Sequence, residues 1–111
     1  MDETQKFNTG MKFDKDKPQM ELLPFNTLVE IAKVLSVGAN KYGKYNWKMM
    51  EDTSRYEGAL LRHYAAYQSG EMYDRETGLS HLAHLGCNAL FLLYFFLDEE
   101  KKQNAKQLFS E

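Results

Sequence analysis

A chain of 111 residues with a formal net charge of −2 at pH 7 has the length of one domain and no global pull toward nucleic acid or an anionic membrane. Any anion site in it must come from local clusters of Lys and Arg. A hydrophobic share of 43% with 14% aromatics excludes a disordered chain, and the lone Cys87 excludes an internal disulfide. Neither a secretory leader nor an apolar run of membrane-spanning length is recognisable, so the expected setting is cytoplasmic.

Residues 1–11 are polar without periodicity and read as a mobile tail, leaving 12–111 as one domain. Lys12, Lys15 and Lys17 then crowd a stretch that Pro18 and Pro24 keep out of a helix interior. This is an extended arm, read either as solvated charge or as a lysine folding over a bound phosphate. From an N-cap at Asn26 or Thr27, the spacing of Leu28, Ile31, Ala32, Leu35 and Ala39 predicts an amphipathic helix. Gly38 weakens it by ~1 kcal/mol relative to Ala, and Gly43 ends it. The connection that follows holds Lys41, Tyr42, Lys44, Tyr45, Asn46 and Trp47. Trp47 has two readings, a core anchor or a stacking platform for a base beside a Lys41–phosphate contact.

A second helix is predicted from a cap at Asp52, Thr53 or Ser54 to about Ser69, packing through Ala59, Leu60, Tyr64, Ala66 and Tyr67. Arg55 and Arg62 are seven residues apart on it, as are Tyr56 and His63, so a cationic stripe runs beside an aromatic and imidazole stripe. Gly70 stops the helix, a turn carries Glu71, Asp74 and Glu76, and Gly78 releases the chain into a third helix. That helix opens with His81, His84 and Asn88 on one face. Its next stretch, Ala89 to Leu97, is apolar on every side and needs neighbours all round. The expectation is a homo-oligomer that buries it against a second copy. Residues 100–111 read as a separate last helix docked by Leu108 and Phe109. No alternating strand pattern occurs, which makes the fold class all-α.

Two histidines three apart with carboxylates close by can hold a divalent cation. Carboxylate oxygens favour magnesium or manganese and imidazole favours zinc, so the residue mixture leaves the ion open. Cys87 sits in an apolar helix without an activator and is not a nucleophile.

The ordered series KFDKDKP, LLP, GANKYGKYNW, RYEGALLRH and GEMYDRETGLSHLAHLGCNALFLL, over Lys12 to Leu97, resembles the dATP/dGTP diphosphohydrolase N-terminal domain family. That family is found largely in bacteriophages and is related to the MazG-like all-α nucleotide pyrophosphohydrolases. The resemblance implies a MazG-like helical bundle of three to five helices, assembled as a homodimer or homotetramer in the host cytoplasm. It implies conversion of a purine (deoxy)nucleoside triphosphate to monophosphate and pyrophosphate with Mg²⁺ or Mn²⁺. The partner is then a small-molecule nucleotide, with no DNA or RNA and no membrane. Carried onto this chain, the resemblance gives catalytic duty to His63, Glu71 and His81 and metal binding to Asp74, Glu76 and His81. Substrate contacts fall on Lys17, Lys41, Trp47, Arg55, Arg62, His84 and Asn88.

One feature departs from the MazG-like pattern of facing ExxE and ExxD pairs: EMYD supplies ExxD in the turn, no ExxE precedes it, and the first of these helices offers Arg62 and His63 instead. Fewer carboxylates and more cations suit direct phosphate binding. The alternative expectation is therefore a non-catalytic phage sponge that sequesters a nucleotide second messenger of host antiviral defence.

Overall fold

The structure, a computed structural model, describes residues 16–109. The expectations for the tail at 1–11 and for Lys12 and Lys15 lie outside the described residues, as does the docking of the Phe109 side chain. Three α-helices account for most of the rest: α1 (Phe25–Tyr42), α2 (Ser54–Gln68) and α3 (His81–Phe109). Short 3-10 turns at Met20–Leu22 and Asn46–Met49 complete the regular structure. The described residues form no strand, only one isolated antiparallel bridge between Tyr73 and Ser80. The fold class is all-α, as the periodicity predicts.

Helix α1 starts at Phe25, ahead of the expected Asn26 or Thr27 cap. The Pro24 carbonyl accepts the N–H groups of Thr27 and Leu28 at 3.0 and 3.1 Å, so the proline's fixed φ sets the entry without a side-chain cap. Gly43 ends α1 at φ 98°, a left-handed conformation that any side chain would strain. At the head of α2, the Asp52 carboxylate accepts both the N–H and the hydroxyl of Ser54. At its foot the Glu71 N–H donates to the Ala66 carbonyl and the Gly70 N–H to that of Tyr67. This is the Schellman arrangement, and Gly70 at φ 100° permits it. Ser80 caps α3, its hydroxyl accepting the Leu82 and Ala83 N–H groups.

Helix α2 packs along α3, and α1 packs on α3 from another side. The approach of α1 is close: a Cβ placed on Gly86 would lie 2.9 Å from the Ile31 side chain. Between α2 and α3 the core is aromatic. Trp47 stacks on Phe91 at 4.4 Å and meets Tyr94 and Phe95 edge-on. Tyr56 leans on Phe91 and donates its hydroxyl to the Trp47 carbonyl at 2.7 Å. Cys87 is 2% exposed, and burial pushes its thiol up to about 11.

Helix α3 corrects one expectation. It runs unbroken for 29 residues, where the sequence suggested a break near Asp98. No Gly or Pro follows Gly86 in this helix, and pairs one turn apart carry it on past Asp98, Lys102 with Asp98 and Gln103 with Glu99. Leu108 is exposed rather than docked. Because the helix is continuous, His81–Leu108 is long and apolar enough, by length and composition, to cross a membrane, although the apolar run read alone was too short. Its first half is instead where α1 and α2 pack. Leu90, Leu93, Phe96 and Leu97, around the middle of the helix, remain 40–59% exposed.

Candidate functional site

The Schellman turn delivers Glu71 to a compact loop, 71–80, that folds back on itself before α3. The Asp74 N–H donates to the Leu79 carbonyl at 2.8 Å, the Gly78 N–H to the Asp74 carbonyl at 2.7 Å, and the His81 N–H to the Met72 carbonyl at 2.9 Å. Gly78 takes φ 76° to close the loop. With these bonds in place Glu71 and Asp74 of the loop face the first turn of α3 and the middle of α2.

There the three histidines meet. His63 from α2 and His81 from α3 approach through their Nδ1 atoms at 2.9 Å, and the ring of His63 stacks on His84 at 4.4 Å, 9° from parallel. His81 is 4% exposed, and its Nε2 lies 2.8 Å from Glu71 Oε2. A carboxylate oxygen only accepts, so His81 Nε2 carries the proton and its Nδ1 lone pair points at His63.

Asp74 is held as firmly. Its Oδ2 accepts the N–H groups of Glu76 and Thr77 and the Thr77 hydroxyl, at 2.9–3.1 Å. Thr77 thereby spends its only proton, so the 2.8 Å contact with His84 Nε2 runs from imidazole to hydroxyl. One ligand atom each from His63, Asp74 and His81 fits within 4.8 Å of the others. Burial first, then the neighbouring imidazoles, lowers the pKa of His63. Burial likewise lowers that of His84, against the pull of Asp74. For Asp74 burial acts upward, but the hydrogen bonds from Thr77 and the adjacent histidines outweigh it and the net direction is down. Both shifted histidines are thus kept neutral, the form that binds metal or takes a proton.

The structure gathers His63, Glu71, Asp74, His81 and His84. Glu76, expected beside Asp74 and His81 as a metal ligand, pairs with Lys41 across the loop instead. That carboxylate raises the Lys41 pKa. Trp47 lies among Phe91, Tyr94 and Phe95, the core-anchor reading of its position. Asn88 is buried and donates to the His84 carbonyl. Arg55 and Arg62 are exposed on α2, Arg62 lying over Gly58, and Lys17 is exposed ahead of Pro18. Sequence reading missed Thr77, which links His84 to Asp74. The Asp-x-x-Thr spacing, typical of side chains that bond their own turn, was the available signal. A separate cavity of about 430 Å³ lies between α1 and the start of α3, lined by Asn26, Thr27, Glu30, Ile31, Ser80, Leu82 and Ala83.

An all-helical domain with a histidine and carboxylate cluster at the mouth of a helix pair defines the class. The family is equally plain. The chain belongs to the family described as dATP/dGTP diphosphohydrolase, N-terminal, whose model matches residues 7–105. It is 35% identical over 86 residues to a dATP/dGTP diphosphohydrolase of Salmonella phage PMBT28, a match covering 78% of this chain and 29% of that protein. The chain thus spans less than a third of the relative's length. No solved structure matches it.

Proposed function

We propose that this domain binds a purine (deoxy)nucleoside triphosphate and hydrolyses it to the monophosphate and pyrophosphate, with a divalent cation held by His63, Asp74 and His81. The observation carrying this reading is the convergence of those three side chains, from α2, the loop and α3, within 4.8 Å. The name of the phage relative points the same way. A bound cation supplies charge neutralisation and polarises a phosphate oxygen. Arg55 and Arg62 offer planar forks to the phosphates along one stripe of α2. Lys41 exchanges its Glu76 partner for a phosphate oxygen. The freed Glu76 carboxylate takes the proton of the water that attacks the α-phosphorus, as the bond to the pyrophosphate oxygen breaks.

A sequestering role is the second reading, and one observation favours it. Asp74 is the only carboxylate of the cluster still open to a cation, since Glu71 is engaged by His81 and Glu76 by Lys41. The test incubates the protein with deoxynucleoside triphosphates and cyclic dinucleotides and analyses the products. Pyrophosphate and monophosphate support hydrolysis, whereas ligand recovered intact but bound supports sequestration. Arg62→Ala is expected to weaken nucleotide binding ten- to a hundredfold, roughly 1.5–3 kcal/mol, under either reading. Unchanged affinity by calorimetry removes α2 from the ligand site.

The proposal extends to a cytoplasmic homodimer or homotetramer. Leu90, Leu93, Phe96 and Leu97 supply the apolar face that a second copy covers. Light scattering that gives a 13.0 kDa particle at micromolar concentration overturns it.

A further inference from the structure

The cluster's hydrogen bonds bear on which cation it takes. Glu71 fixes the His81 proton on Nε2 and so leaves the Nδ1 lone pair facing the His63 Nδ1 atom. Oδ2 of Asp74 receives all three of that carboxylate's hydrogen bonds, from Glu76 and twice from Thr77. Among the described residues Oδ1 receives none, and it is the oxygen left for a ligand. The donor set presented to a cation is two imidazole nitrogens and one carboxylate oxygen; His81 and Asp74 are each oriented by a neighbour that does not itself reach the ion, and the ring of His63 is held by stacking on His84.

We propose that this site is built for an imidazole-preferring transition dication of the zinc class rather than for magnesium. Glu71 and Thr77 are its positioning residues. The inference rests on the assignment of His63, Asp74 and His81 as a cation site and deepens it by naming the ion. Magnesium demands an octahedral set of oxygens, and one open carboxylate oxygen supplies little of that. Two imidazoles and one carboxylate, with a position left for water or substrate, form the set that zinc and neighbouring transition ions take in hydrolytic sites. A carboxylate receiving the far N–H of a ligating histidine is the usual support for such an ion and raises the basicity of the ligand nitrogen. His84 belongs to the same scaffold: its Nε2–H goes to the Thr77 hydroxyl, whose own proton goes to Asp74.

The experiment uses the full chain, stripped with a chelator and titrated with Zn²⁺, Co²⁺ and Mg²⁺ alone, without nucleotide. Binding is followed by calorimetry and by the visible absorption of bound cobalt. Zinc is expected to bind with one-to-one stoichiometry and to be retained against a large excess of magnesium. His63→Ala and His81→Ala are expected to abolish binding. Glu71→Gln is expected to weaken zinc 10- to 100-fold, the usual cost of losing such a supporting carboxylate, while its circular dichroism stays that of the parent. Magnesium binding as tightly as zinc, or zinc binding unchanged in the His63→Ala and His81→Ala proteins, overturns the proposal. Unchanged zinc affinity in Glu71→Gln overturns the positioning role. The hydrolase reading fails separately: zinc bound as described with every nucleotide recovered intact leaves this inference standing and removes the enzyme. Magnesium-dependent cleavage that survives His63→Ala does the reverse.

Discussion

Helices α2 and α3 join two clusters of opposite character. One is aromatic, Trp47 and Tyr56 against Phe91, Tyr94 and Phe95. The other is polar, His63, Glu71, Asp74, Thr77, His81 and His84. The aromatic cluster is held by area and ring contact, which tolerate small shifts. The polar cluster is held by directional bonds in which each proton has one owner, so losing one member changes what its neighbours can do. Packing therefore fixes the helix pair at the aromatic end, and the fixed pair holds a chemically poised group at the other.

The two ends of the helix pair differ most at Trp47. Trp47→Ala is expected to lose about 3–5 kcal/mol of stability in chemical denaturation, the usual cost of emptying such a site. A loss below 1 kcal/mol, with nucleotide affinity reduced, would return Trp47 to the base-stacking role considered from sequence. Asp74→Asn comes next. It removes a charged acceptor of three hydrogen bonds and is expected to cost roughly 1.5–3 kcal/mol while also abolishing cation binding. Stability equal to the parent would mean that the carboxylate does not organise the loop. Tyr56→Phe keeps the ring contacts and deletes one hydrogen bond to the Trp47 carbonyl, for about 0.5–1.5 kcal/mol. A larger loss would show that the hydroxyl, not the ring, anchors the aromatic end.

The smallest effect is one of pH and belongs to the polar end. The folded-state pKa values of His63 and His84 lie below the unfolded value of 6.5. The unfolded chain therefore takes up protons first as pH falls, so stability is complete above 6.5 and declines as pH drops from 6.5 through the lowered folded values. Thermal melts of His63→Ala between pH 7.5 and 5 should show a shallower decline than the parent. An equal slope would place the titrating groups elsewhere.

How much of this was legible differs between the two ends. Local signals announced the helices: apolar spacing in α1, Gly70 and Gly78 around the loop, and His81 with His84 on one face of α3. The same reasoning went astray at Asp98, where a change from apolar to charged residues looked like a boundary. Composition shifts do not stop a helix in the absence of Gly or Pro, and the backbone hydrogen bonds continued through it.

From the sequence alone came the all-α class, the family signature, and the roster of residues able to do chemistry. Which of these residues meet depends on how the elements pack. His63 faces His81 across 18 residues of chain, Glu71 supports His81 across 10, and Lys41 takes Glu76 across 35. Helical periodicity relates positions on a single helix to one another. Contacts between elements depend on the path of the 71–80 loop and on the angle at which aromatic packing sets α2 against α3, and neither is written in any local spacing.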